Sequence, residues 1–335
     1  MRRKIKDISS IARSFAGGAL ITLICLFTFI STATSYAEEP AREKSGSQRP
    51  FRIGVSVDLV VVYASVFDKN NRFIAGLDQD SFRIYEDGVE QQISSFSQED
   101  VSVSMGLILD LSGSMRGKME QVKNAALTFI RAGNSEDQFF VIGFNDEVEL
   151  LQDYTSDADE LRDALENTIV AGKTHLYDAV YLGVQKAQSG ARPKKAVVVI
   201  TDGEDDTSFY KLNEVISSIR ESDVQVFCVG FLTEAPSKNR ISRWSNSKAK
   251  KVYDALVSIS EETGGKAFFP QHLSEIHGIT SEIARELRSQ YSIGYSSSNQ
   301  ARDGSFRKIK VELAGKKSQE TNIRYRKGYF ASRQR

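Results

Sequence analysis

The chain is 335 residues long, 40% apolar and 26% charged, with 44 basic residues balanced by 44 acidic ones. That length and apolar content suit one large globular domain or two modest ones, and the balanced charge excludes the strongly basic composition of a nucleic-acid-binding protein. The N-terminus carries Arg2, Arg3, Lys4 and Lys6, then an almost wholly apolar run from Ala19 to Ile30, then Ser35-Tyr36-Ala37 before Glu38-Glu39-Pro40. This order describes a signal peptide over residues 1–37, cut after Ala37, and so an exported product, periplasmic or secreted. The alternative is an uncleaved anchor facing the periplasm, against which the apolar core falls short of the ~20 residues that a spanning helix needs. Cleavage would remove five basic residues and one acidic residue, leaving a charge near −4. It would also remove Cys25, so that Cys228, inside the apolar run Val224–Val229, remains as a small core residue without an intrachain disulfide.

Residues 38–50 form a polar linker, after which apolar side chains fall on every second position at Phe51, Ile53, Val55, Val57, Leu59, Val61 and Tyr63. Period two over that length means a strand with one buried face. Turn chemistry at Asp68-Lys69-Asn70-Asn71 and Asp87-Gly88 then divides residues 51–97 into an N-terminal unit of about four strands. From Val101 strands alternate with helices. Apolar runs at 105–109, 139–144, 196–201 and 224–231 alternate with helical patterns at 119–130, 161–165, 176–187, 215–219, 253–262 and 276–287. Such alternation over 98–288 predicts a doubly wound, mainly parallel, Rossmann-like α/β sheet covered on both faces. Period two returns at Tyr291, Ile293 and Tyr295, at Ile309, Val311 and Leu313, and at Ile323 and Tyr325. Four strands alone are marginal, so residues 289–330 are expected to pack with 51–97 as one small β-subdomain.

The most informative loop is Asp110-Leu111-Ser112-Gly113-Ser114, directly after the strand run 105–109 and before a helix. Open α/β sheets bind ligands there, outside the carboxyl ends of their strands. One carboxylate and two hydroxyls at alternate positions point the same way and offer hard oxygen donors, suited to Mg²⁺, Mn²⁺ or Ca²⁺. Asp, Ser and Gly are also what a strand-to-helix turn and an N-cap prefer, so this loop alone assigns no metal. Two further segments bear on it. Ala196–Thr201 is a second buried run that ends in Asp202-Gly203, and Gly172-Lys173-Thr174-His175 puts a Thr just before an amphipathic helix.

Together these segments resemble the von Willebrand factor A family, whose metal-ion-dependent adhesion site draws D-x-S-x-S from one loop, a Thr from a second and an Asp from a third. The resemblance implies Asp110, Ser112, Ser114, Thr174 and Asp202 as metal ligands. Within the family the chain is similar to the bacterial VWFA-related group known largely from acidobacterial genomes. That likeness runs from about Val55 to Phe330, through Phe82–Gly88 before the domain and Leu287–Tyr291 and Arg326–Phe330 after it. Lys173 and His175 depart from the small residues that commonly flank the Thr.

With three neutral hydroxyls among its ligands, a divalent ion, Mg²⁺ first, stays under-neutralised and keeps a position for an incoming carboxylate. The expected function is therefore capture of a carboxylate-bearing protein partner through the metal, with no bond broken, no nucleic acid, and no membrane unless the leader is retained. A structural role in a cell-envelope assembly is the alternative. Ser112, Ser114 and His175 raise an acyl-transfer reading, but no G-x-S-x-G elbow is present and the hydroxyls serve better as ligands. His175, Glu204 and Trp244 are the candidates for partner contact. Glu204, Asp205 and Asp206 form an acidic run that either is a solvated loop or tunes the metal. Trp244 lies in a basic insertion, 233–251, where an aromatic favours interfaces when exposed.

Overall fold

The computed structural model describes residues 59–203, 205, 207–232, 248–315 and 321–333. The leader, the linker, the first half of the opening strand, Glu204 and Trp244 lie outside the described residues. The chain begins with strands β1 (Leu59–Asp68), β2 (Phe82–Glu86), β3 (Val89–Gln91) and β4 (Ile93–Ser97). It continues through β5 (Val103–Asp110), α1 (Met119–Arg131), β6 (Gln138–Phe144), β7 (Val148–Thr155), α2 (Ala158–Glu166), α3 (Leu176–Gln188) and β8 (Lys194–Thr201). Then follow α4 (Leu212–Arg220), β9 (Gln225–Gly230), α5 (Lys248–Glu262), β10 (Ala267–Phe268) and α6 (Ile276–Ser289). The last strands are β11 (Tyr291–Ser296), β12 (Phe306–Leu313), β13 (Thr321–Arg324) and β14 (Gly328–Phe330). Among the described residues no helix is long and apolar enough to cross a membrane.

The α/β part is a six-stranded sheet in the order β10-β9-β8-β5-β6-β7, parallel except for β7, which closes one edge antiparallel to β6. Its central strands are apolar on both faces because both faces are covered. Met105, Leu107 and Leu109 of β5, with Val198 and Ile200 of β8, pack under α1, α2 and α6. The alternate residues Ile108, Val197, Val199 and Cys228 pack under α3, α4 and α5. Burial pushes the Cys228 thiol up to about 12, so it is a core side chain rather than a nucleophile.

The flanking strands build two four-stranded antiparallel sheets, β13-β1-β11-β4 and β14-β12-β2-β3. Strands from before and after the α/β part therefore lie side by side in both. Asp87, with φ 48°, and Gly88, with φ 85°, form the two-residue turn that joins β2 to β3. The two sheets share a core of Val62, Ala64, Val66, Phe82, Ile84, Tyr291, Ile293 and Tyr295. Because β4 pairs directly with β11, the α/β part is an insertion that leaves one strand and returns to its neighbour. The neck is pinned by Arg288, which binds Asp100 at 3.0 Å and Asp137 at 2.8 Å, and by Asp137 accepting from the Val103 backbone at 2.8 Å.

A second contact between the two parts is glycine-dependent. Gly264 follows α5 with φ 79°, and a Cβ there would lie 2.6 Å or less from the backbone of Tyr325, just beyond β13. Gly264→Ala combines a left-handed conformation with a backbone clash that no side-chain rotamer relieves. We expect it to cost about 2–4 kcal/mol in urea unfolding. A change within experimental error would show that the two parts separate there freely.

Candidate metal centre

The strand order reverses between β5 and β8, which places the loops after these two strands at the switch point of the sheet. Asp110 is the last residue of β5 and is fully buried. One of its carboxylate oxygens accepts from the Ser112 backbone N–H at 2.9 Å, and the other accepts from the Thr201 hydroxyl, at the end of β8, at 2.6 Å. Beyond Ser112 the chain turns through a 3₁₀ segment, Gly113–Gly117, into α1. The Ser112 and Ser114 hydroxyls lie 3.0 Å apart, and Ser114 donates to Asp202 at 2.7 Å. Lys118, which precedes α1, forms an ion pair with the other Asp202 oxygen.

The Thr174 loop is stitched to this one through the backbone. Ala171 N–H donates to the Leu111 carbonyl at 2.8 Å, and Gly113 N–H donates to the Gly172 carbonyl at 3.1 Å. Thr174 is buried, and a Cβ on Gly203 would stand 3.0 Å from its hydroxyl. The small residue after Asp202 thus lets the third loop close onto the second. Asp110, Ser112, Ser114, Thr174 and Asp202 are gathered at one point of the fold.

Electrostatics at this point favour a cation. Burial pushes the Asp110 carboxyl above its ordinary value; hydrogen bonds from Ser112 and Thr201 offset this in part, and the Asp202 charge adds to it. Among the described residues no group of three or more His, Cys, Asp and Glu side chains gathers as a metal site. The donors available here are two carboxylates and three hydroxyls, an all-oxygen set that fits Mg²⁺, Mn²⁺ or Ca²⁺ better than a thiophilic ion.

Two of the other candidates lie in the loops beside the site. His175 is 8% exposed, and its Nε2 lies 2.7 Å from the Thr207 hydroxyl. It fastens the loop after β8 to the start of α3. Asp205 accepts from the Tyr177 backbone N–H at 3.1 Å and from Ser208, which places its charge at the N-terminus of α3. Asp178 answers from α3 by accepting the backbone N–H groups of Phe209 and Tyr210 at 3.0 and 2.9 Å. Thr201 and Lys118 are site residues that sequence reasoning passes over. Their signals are a hydroxyl at the end of a buried strand and a lysine one helical turn beyond Ser114.

The fold and site define an open α/β domain with oxygen donors at its switch point. Residues 105–282 match the von Willebrand factor type A domain model, and the chain belongs to that family. A curated relative is the pig (Sus scrofa) inter-alpha-trypsin inhibitor heavy chain H4, 24% identical over 163 residues, which make up 44% of this chain and 18% of the relative. The chain thus spans less than a fifth of that protein's length. Similar solved structures include proximal thread matrix protein 1 of the mussel byssus with a zinc-occupied MIDAS motif, 14% identical over 61% of this chain and 50% of the other, TM-score 0.47. BatB from Bacteroides thetaiotaomicron is 19% identical over 56% of this chain and all of the other, TM-score 0.43. The vWF domain of the type V pili tip protein Mfa5 from Porphyromonas gingivalis is 9% identical over 56% of this chain and 95% of the other, TM-score 0.45.

Proposed function

We propose that this chain is an exported protein that captures a protein partner through a divalent ion, Mg²⁺ first, held by Asp110, Ser112, Ser114, Thr174 and Asp202. The observation that carries this reading is that Ser112 and Ser114 lie between the Asp110 and Asp202 carboxylates at the switch point of the sheet, with Thr174 of the second loop packed against Gly203 beside Asp202. When bound, the ion supplies an under-neutralised charge with room for a partner's carboxylate. Asp110 stays anchored by Ser112 and Thr201 and orients the donors around it. The Ser112 and Ser114 hydroxyls bond to each other, Ser114 also bonds Asp202, and His175 faces Thr207, which supports ligand holding over acyl transfer for these groups.

The surface beside the site favours a protein partner over a free small ion. Ile169, 78% exposed, sits on the Thr174 loop next to Val170, whose carbonyl accepts from Arg116. Phe209, 75% exposed, sits on the loop after Asp202. Apolar side chains this exposed, on the two loops that flank a charged centre, are what the rim of a binding site provides.

The test is calorimetric titration of chelator-treated protein with Mg²⁺, Mn²⁺ and Ca²⁺. We expect one ion per chain, and affinity weaker by roughly tenfold or more in Thr174→Val. Capture from an envelope extract should then occur in Mg²⁺ and fail in chelator. Capture that persists in chelator would support the structural role instead, and absence of ion binding would end the metal reading.

A further inference from the structure

We infer that Lys118 is a tethered counter-ion which occupies Asp202 and must be displaced before a divalent ion can bind. The inference rests on the metal reading above and concerns how that site is loaded. Asp202 is nearly fully buried, and both of its oxygens are engaged: one accepts from Ser114 at 2.7 Å, the other holds the Lys118 ammonium. The same ammonium donates to the Ser114 carbonyl at 3.2 Å. It therefore bridges the first and third loops of the site, as an ion would.

The charges explain why such a cation is useful. Asp110 and Asp202 bear on each other, since the Asp202 charge raises the Asp110 carboxyl further above its ordinary value. Two like charges withdrawn from water repel, and one positive charge at Asp202 relieves part of that repulsion. The serine hydroxyls can then stay ordered between the loops. Lysine suits the task because its ammonium is a point charge on a flexible four-carbon stem. Its side chain is one-third exposed, so it can withdraw to solvent without unpacking the core.

Loading becomes an exchange in which the divalent ion enters and the ammonium leaves. Apparent ion affinity is then lower than the oxygen donors alone would give, because the free-energy cost of releasing Lys118 is subtracted. The site fills only where divalent ions are plentiful, and their removal returns it to an ordered closed form instead of a repelling pair of carboxylates.

The experiment compares wild type with Lys118→Met, which keeps most of the apolar stem and removes the charge. In calorimetry with Mg²⁺ and Mn²⁺, Lys118→Met should bind about tenfold more tightly. In chelator the variant should melt lower than wild type, and saturating Mg²⁺ should restore more of its stability. Lys118→Gln serves as the second variant should the first fail to fold. On wild type itself, acetic anhydride labelling followed by mass spectrometry should modify Lys118 faster in saturating Mg²⁺ than in chelator. Equal or weaker ion affinity in both variants, or a labelling rate that ignores Mg²⁺, overturns the counter-ion role while leaving the metal site intact. No ion binding by wild type or either variant removes the metal reading and this inference with it. Binding by the variants alone would support both.

Discussion

Asp110→Asn should abolish divalent-ion binding and leave the chelator-treated protein as stable as wild type, or more stable by about 1–2 kcal/mol. Asp110 is a fully buried carboxylate whose pKa burial raises, with hydrogen bonds from Ser112 and Thr201 offsetting only part of the cost. The sign follows from linkage. A carboxyl raised above its unfolded value disfavours folding wherever it is ionised, so at neutral pH its charge weakens the fold until a cation offsets it. Asparagine has the same shape. Its carbonyl can keep the Ser112 N–H, and the Thr201 hydroxyl can turn to accept from its amide. Ion affinity, by contrast, should fall at least ~100-fold with loss of a charged ligand. Urea unfolding in chelator and in Mg²⁺ separates the two effects, because only wild type should gain stability from the ion. A loss of several kcal/mol in chelator would mark Asp110 as structural and sink the site assignment.

The largest stability effect is expected far from that site, at Glu86. Glu86 and Arg307 are each 2% exposed at the side chain and pair at 3.2 Å inside the β-sandwich. Glu86 also accepts from Tyr295 and Tyr329 at 2.8 Å each and from Ser297 at 2.5 Å. Glu86→Ala leaves a buried guanidinium without its counter-charge and two phenols without an acceptor, which should cost about 3–5 kcal/mol in urea unfolding. The pH profile should show the same network. Burial raises the Glu86 carboxyl, but Ser297, Tyr329, Tyr295 and Arg307 outweigh it and hold it below its ordinary value. A depressed carboxyl contributes stability that is full above its unfolded value and is lost as the pH falls through the folded one. Wild type should therefore lose this contribution below about pH 4, and Glu86→Ala should show a flatter acid limb. A variant with the wild-type midpoint and acid limb would show that the network carries no net stability.

How much of this was legible in the sequence depended on whether the signal was local. β5 and β8 are apolar without interruption because helices cover both of their faces, so their position and the Asp110 and Asp202 loops behind them could be read directly. β7 carried no such signal. It is an edge strand with no fully buried residue, and Glu149 and Asp153 on one face are exposed, so no apolar run marks it. The first turn of α5, Lys248–Lys251, is basic like the sequence before it, so no apolar pattern marks where the helix starts. In the β-sandwich, period two showed where strands lie but not that β2 pairs with β12 while β1 pairs with β11 and β13. Those pairings join residues more than 200 positions apart and are decided by the shared core. At the site, residue type identified the oxygen donors, whereas the roles of Thr201, Lys118 and His175 depended on which loops meet.

The neck gives the α/β part a further property. Its two chain ends leave from β4 and β11, neighbours in one sheet about 4.8 Å apart, and the Asp110 loop lies at the far end of β5, about 23 Å away at roughly 3.3 Å per residue. A segment that enters and leaves through adjacent strands behaves as a cassette. It can be exchanged by joining two nearby ends, provided the replacement keeps the Arg288 neck and the close approach of Gly264 to Tyr325.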